Sequence, residues 1–147
     1  MNLKDQSANL VSILMVEDDE LDVESFKRSL KKERLINPFY SVSNGEEALK
    51  VLKGQHESIQ IGKPHLVLMD INMPRMNGLE CLKHIRQDPE LKDTVVFVMT
   101  SSDDEKDIYN AYDLNVAGYM VKSELGANFL KTVHMLDKYC HAIVLPV

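Results

Sequence analysis

The sequence predicts an α/β fold: a doubly wound, five-stranded parallel sheet with helices on both faces. Two observations carry this. Short apolar runs alternate with stretches of helical period, the pattern of βα units wound into a parallel sheet. Between the runs fall helix-start signals and Pro or Gly breaks, so the units are punctuated where a helix should begin or end.

Ser12 to Val16 (SILMV) is the first run, and Leu21, Phe26 and Leu30 follow among charges as an amphipathic helix ending before Asn37-Pro38. Asp19 is the expected N-cap of that helix. Phe39 to Val42 gives a weaker second strand, after which Asn44 and Glu47 form a capping box opening a helix through Ala48, Leu49 and Leu52. The polar stretch Gly54 to Pro64 reads as a surface loop. Leu66 to Met69 (LVLM) is the third strand, and Asn77-Gly78-Leu79-Glu80 caps a helix through Leu82 and Ile85 that stops near Asp88-Pro89. Val95 to Met99 (VVFVM) is the fourth and most hydrophobic strand. Ser102 and Glu105 predict another capping box, for a helix carrying Ile108, Ala111 and Tyr112. Tyr119 to Val121 is a short fifth strand. A last helix is predicted from about Glu124 to Tyr139 on the pattern Phe129, Val133, Leu136, Cys140, followed by the apolar tail Ile143 to Val147. Residues 1–9 thus read as an N-terminal extension, 10–140 as the folded domain and 141–147 as the tail.

At 147 residues the chain has the length of one domain, and 44% hydrophobic with 27% charged residues is the composition of an ordinary globular protein. Seventeen Lys and Arg against 23 Asp and Glu give a net charge of -6, which supplies no overall positive field for nucleic acid or anionic lipid. Cys81 and Cys140 lie far apart and form no CxxC pair, arguing against a disulfide framework or a zinc site. The amino terminus has no basic start and apolar run of a secretory signal, and no run is long enough to span a bilayer, so the cytoplasm is the expected location.

In open parallel sheets the working residues gather outside the carboxyl ends of the strands. Here the first strand runs into Glu17-Asp18-Asp19, the third into Asp70, the fourth into Thr100-Ser101 and the fifth into Lys122. Carboxylates brought that close repel unless a cation or a proton intervenes. Oxygen-only ligation, with no His or Cys at the same strand ends, points to Mg²⁺, which keeps several waters and leaves room for a phosphoryl group. An acyl phosphate on a carboxylate would spread charge over oxygens that Mg²⁺, Lys122 and Thr100 can neutralise or hydrogen-bond.

These residues stand in motifs: VEDD at Val16 to Asp19, LMDINMPRMNG at Leu68 to Gly78, MTSS at Met99 to Ser102 and GYMVK at Gly118 to Lys122. In this order, over nearly the whole chain, they resemble the receiver domain of two-component response regulators. The stretch AYDLNVAGYMVKS and the ending IVLP further resemble stand-alone regulators partnered with phytochrome-type histidine kinases. The resemblance implies a flavodoxin-like sheet of order 2-1-3-4-5. It implies that Asp70 is the phosphoacceptor, that Glu17 and Asp18 hold Mg²⁺ with Asp70, and that Asn72 gives the metal its backbone carbonyl. Thr100 then corresponds to the hydroxyl that bonds a phosphoryl oxygen, Lys122 to the ammonium that pairs with another, and Tyr119 to the aromatic switch residue. The implied function is that of a single-domain response regulator. It would take a phosphoryl group from a kinase phosphohistidine, hydrolyse it slowly and signal through a phosphorylation-dependent protein contact. The alternative is a degenerate receiver, an interaction module independent of phosphorylation.

Two positions depart from the family pattern. Ser123 follows the lysine where Pro, often in a cis peptide, is usual; a cis non-proline bond costs about 2.5 to 4 kcal/mol, so this loop either holds strain or goes trans. Glu17 stands where Asp is common, and its longer arm reaches the metal directly or through water. Other chemistries fit worse. A flavin phosphate loop would not carry Glu17-Asp18-Asp19, and an aspartyl-phosphate phosphatase would want an Asp at Asn72. An EF-hand starting at Asp18 has Val23 for its turn glycine and Ser29 for its bidentate glutamate, and no GxxxxGK[ST] loop exists. Output must pass through partners, because the receiver occupies nearly all the chain. A homodimer is expected on the last helix and tail, where Leu130, Met135 and Tyr139 lie beyond the core stripe and Ile143 to Val147 has no sheet position waiting.

Overall fold

The computed structural model describes residues 10–146; the expected 1–9 extension and Val147 lie outside them. The elements are β1 (Ser12–Val16), α1 (Glu20–Lys32), β2 (Phe39–Val42), α2 (Gly45–Leu52), β3 (His65–Met69), α3 (Gly78–Gln87), β4 (Val95–Thr100), α4 (Glu105–Asp113) and β5 (Gly118–Val121). Short 3-10 turns at Lys122–Glu124 and Ala127–Phe129 lead into α5 (Leu130–Ala142). All strand pairs are parallel, in the order β2-β1-β3-β4-β5 that the resemblance implied.

Alternation along the central strands divides the core into two layers. Leu14, Val16, Val67, Met69, Val96 and Val98 face α2, α3 and α4, meeting Leu49, Leu82, Ile85 and Ala111. Their neighbours Ile13, Met15, Leu66, Leu68, Phe97 and Met99 face α1 and α5, meeting Phe26, Leu30, Val133 and Leu136. A strand buried on both faces is apolar along nearly all its length, which is why ILMV and VVFVM read as unbroken runs rather than alternating ones. Each fully buried side chain of this size contributes about 1.5–3 kcal/mol.

Local chemistry sets most of the helix starts. Asp19 Oδ1 accepts from the Leu21 and Asp22 N–H groups, and Asn77 Oδ1 accepts from Glu80 N–H, as predicted. At α2 only half of the capping box forms: Asn44 Oδ1 accepts from Glu47 N–H, while the Glu47 carboxylate turns to Lys50 and His56. His56 Nδ1 accepts from the N–H groups of Ser58 and Ile59, so Nε2 carries the proton and donates to Glu47 Oε1 at 3.2 Å, pinning the polar loop back on α2.

Three sequence expectations are corrected. The N-cap of α4 is Asp104, whose carboxylate accepts from Lys106 N–H at 2.8 Å; Ser102, two residues outside, donates instead to Asp107 at 2.6 Å. The last helix begins at Leu130, not near Glu124, and runs past Tyr139 to Ala142. Gly126, Asn128 and Phe129 have φ of 78°, 54° and 58°, a left-handed backbone that an α-helix cannot pass through, and Ser29 Oγ anchors the kink by donating to the Asn128 carbonyl. Phe129 therefore precedes the helix whose stripe it was to lead. Finally, less apolar surface is spare than expected. Met135 and Tyr139 pack on the α1/α5 layer, Tyr139 edge-on to Phe97, and Leu145 folds back into the same layer at 6% exposure. Ile143 and Val144 stay outside, Val144 at 97%.

Gly78 couples α3 to the end of β3. A Cβ there would lie 2.3 Å from the Asp70 carbonyl oxygen and 2.7 Å from Ile71 Cα, backbone atoms that cannot step aside. Gly78→Ala should lower the urea midpoint by an amount equivalent to about 1–3 kcal/mol, the usual cost of overpacking. An unchanged midpoint would show that this junction yields freely.

Candidate functional site

Strand register brings the predicted residues together. Val16 is level with Met69, so Glu17 and Asp70 leave the sheet side by side; Thr100 is level with Val121, one residue before Lys122. Glu17 and Asp70 are only 3% and 5% exposed, and Thr100 is fully buried.

Asp70 is held at both oxygens. Oδ1 accepts from Thr100 Oγ1 at 2.7 Å and from Asn72 N–H at 3.0 Å, while Oδ2 accepts from Lys122 Nζ at 3.2 Å. The Lys122 ammonium also lies 2.6 Å from Glu17 Oε1 and 2.8 Å from Asp22 Oδ2. Burial alone would lower its pKa, but the hydrogen bond it donates to Asp22, the close Glu17 carboxylate and the charge of Asp70 outweigh that and hold the amine firmly protonated.

Glu17 is less well served. Its Oε2 accepts from Asp19 N–H at 3.2 Å, but buried Oε1 makes no directed hydrogen bond, its contact with Lys122 being ionic. Burial, with the neighbouring Asp70 charge, pushes the Glu17 carboxyl up to about 8 against the pull of Lys122. A buried carboxylate oxygen without a directed donor favours a cation. Ligand oxygens of Glu17, Asp18 and Asp70 all lie within 4.8 Å of one another, with Asp18 on the exposed side, and this oxygen-only set fits a divalent metal.

The remaining predicted residues surround this cluster. Asn72 is exposed and touches Asp70 through its backbone N–H. The Tyr119 hydroxyl donates to the Ser102 carbonyl at 2.9 Å, tying β5 to the β4–α4 loop and leaving Asp70 to Thr100 and Lys122. The Lys122–Ser123 peptide is trans, since among the described residues the one cis bond is Lys63–Pro64. Asp22 was missed: an acid in the first turn of a helix reads as a complement to the helix dipole, and its partner is 100 residues away in the chain. An open cavity of about 540 Å³ adjoins the cluster, bordered by Asp18, Ser43, Glu47 and His56.

An acid cluster, a buried hydroxyl and an ammonium at the carboxyl edge of a 2-1-3-4-5 sheet define the receiver class of signalling domain. The family model described as the response regulator receiver domain matches residues 13–134, and the chain belongs to that family. It is similar to the response regulator Rcp1 of Synechocystis sp., with 31% identity covering 93% of both chains. Among solved structures, the phosphorylated cyanobacterial phytochrome response regulator RcpA aligns with a TM-score of 0.82 at 30% identity, covering 93% of this chain and 99% of that one. The Mn²⁺-bound form of Rcp1 aligns with a TM-score of 0.81 at 31% identity and the same coverage. Among the described residues no helix is long and apolar enough to cross a membrane.

Proposed function

We propose that the chain is a single-domain response regulator that accepts a phosphoryl group from a histidine kinase phosphohistidine onto Asp70, with Mg²⁺, and signals through a phosphorylation-dependent protein contact. The observation that carries this is a buried Asp70 with Thr100 Oγ1 at 2.7 Å from one oxygen and Lys122 Nζ at 3.2 Å from the other. A carboxylate oxygen of Asp70 attacks phosphorus; the P–O bond forms as the P–N bond to the donor imidazole breaks, and the imidazole takes up a proton from solvent. Lys122 pairs with one phosphoryl oxygen and Thr100 donates to another, stabilising charge that is largest in the transition state. Glu17, Asp18 and Asp70, with the Asn72 carbonyl, would hold Mg²⁺, which neutralises phosphoryl charge when bound.

Once Thr100 turns from Asp70 to a phosphoryl oxygen it draws the β4–α4 loop with it. Tyr119, bonded to Ser102 in that loop, is then the switch residue, and α4 moves with it. Slow hydrolysis of the aspartyl phosphate resets the state. The likeness to RcpA, a phytochrome response regulator, supports a phytochrome-type histidine kinase as donor, acting in the cytoplasm.

Intact-mass measurement after incubation with a small acyl phosphate tests this reading. The chain should gain one phosphoryl group in Mg²⁺ and none in excess chelator. Labelling that persists in chelator removes the metal from the reaction, and no labelling in either condition favours the phosphorylation-independent interaction module.

We further propose a homodimer through α5 and the tail, supported by Ile143 and Val144, which remain 46% and 97% exposed beside a docked Leu145. Val144→Asp leaves Leu145 in place, so it should convert a dimer at tens of micromolar to monomer in sedimentation. Two monomers would overturn the dimer reading, and two equal dimers would place the contact away from Val144.

A further inference from the structure

The fourth carboxylate beside the site, Asp22, has no part in the mechanism above. A first-turn acid is satisfied by the helix dipole and needs no partner, yet Asp22 Oδ2 reaches across to Lys122 Nζ at 2.8 Å. That is shorter than the 3.2 Å from the same ammonium to Asp70. Both side chains are largely shielded, at 23% and 14% exposure, so the pair is screened less than a surface bridge.

An ammonium carries three hydrogens, and Lys122 faces three carboxylates: Glu17, Asp22 and Asp70. Glu17 and Asp70 also belong to the acid cluster suited to a metal, whereas Asp22 does not. Whenever a cation draws on the other two, Asp22 is the partner that stays with Lys122. Asp22 is itself fixed, because its backbone N–H is taken by the Asp19 cap at 3.4 Å and its side chain projects from the first turn of α1. A flexible four-carbon lysine is thereby held where its ammonium already touches Asp70.

We propose that Asp22 is a positioning residue for phosphoryl uptake, tethering the Lys122 ammonium over Asp70 so that it meets the incoming phosphoryl oxygen without a search through rotamers. Orientation of this kind acts on the maximal rate rather than on donor affinity. The role rests on the proposed function, and the test separates the two.

Labelling rates with a small acyl phosphate in saturating Mg²⁺ should be measured for the parent, Asp22→Asn, Asp22→Glu, Lys122→Met and the double variant Asp22→Asn/Lys122→Met. Asp22→Asn should lower the maximal rate about tenfold, the scale of one charge-assisted hydrogen bond, with the half-saturating donor concentration unchanged. Asp22→Glu should recover most of that loss. In the Lys122→Met background Asp22→Asn should change nothing further, the signature of a residue acting through lysine. A second readout needs neither metal nor turnover: in chelator, acylation of Lys122 by an amine reagent, followed by peptide mass, should rise severalfold in Asp22→Asn. Equal losses from Asp22→Asn in both backgrounds overturn the proposal, as does a parent-like rate in the single variant. A parent chain that takes no label overturns the proposed function and this role with it, whereas a parent that labels beside an indifferent Asp22→Asn overturns the tether alone.

Discussion

Asp70→Asn should take no phosphoryl group from any donor and should nevertheless unfold at higher urea than the parent when divalent metal is absent. The first half follows from chemistry: an amide oxygen is too weak a nucleophile for phosphorus, and the roles proposed for the neighbouring carboxylates are those of ligands and a tether. The second half follows from charge. One ammonium faces Glu17, Asp22 and Asp70 in a region where Glu17 and Asp70 are 3% and 5% exposed. Burial does most to push the Glu17 carboxyl up, and removing one negative charge relieves the repulsion from Asp70 that adds to it. The amide oxygen can still accept from Thr100 Oγ1 and Asn72 N–H, so few bonds are lost. The gain should be about 1–2 kcal/mol in chelator, and it should shrink as Mg²⁺ is added, because the variant has lost one metal ligand. Intact mass and urea unfolding check the two halves separately. Labelling of the variant would move the phosphoacceptor elsewhere, and a lower urea midpoint in chelator would show that Lys122 already outweighs the repulsion.

Much of this was legible in the sequence wherever the cause is local. Asp19, Asn44 and Asn77 cap helices that start within three residues of them, and the strand-end residues Glu17, Asp70, Thr100 and Lys122 converge because a parallel sheet has one carboxyl edge. Legibility failed where two local solutions compete or where the partner is remote. Ser102 and Asp104 can both cap a helix, and the carboxylate adjacent to Glu105 won. A left-handed Phe129 leaves no mark in the sequence, since its spacing to Val133 and Leu136 suits an uninterrupted helix. Leu145 returns to a layer built mostly by residues far earlier in the chain. Asp22 was hidden for the same reason: its chemistry lies in Lys122, and nothing within its own helix distinguishes it from a dipole charge.

Lys122→Met should be the most destabilising change at the site. Methionine keeps an apolar stem but removes the cation that touches Glu17, Asp22 and Asp70. Leaving buried carboxylates without their counter-charge costs about 3–5 kcal/mol in comparable settings, and Asp22 at 23% exposure and the open side of the cluster put this case near the lower end. The loss should be conditional. A divalent cation replaces the missing charge, so Mg²⁺ should raise the urea midpoint of the variant more than that of the parent, where the ammonium already offsets part of the negative charge. Phosphoryl uptake should not recover alongside stability, because the metal restores charge to the carboxylates without restoring the donor that Lys122 offers a phosphoryl oxygen. Unfolding curves with and without Mg²⁺, set beside labelling rates in Mg²⁺, separate the two roles of this lysine. A variant as stable as the parent in chelator would mean that the carboxylates neutralise themselves by protonation, and one that regains full labelling in Mg²⁺ would mean that the ammonium acts only as a structural counter-ion.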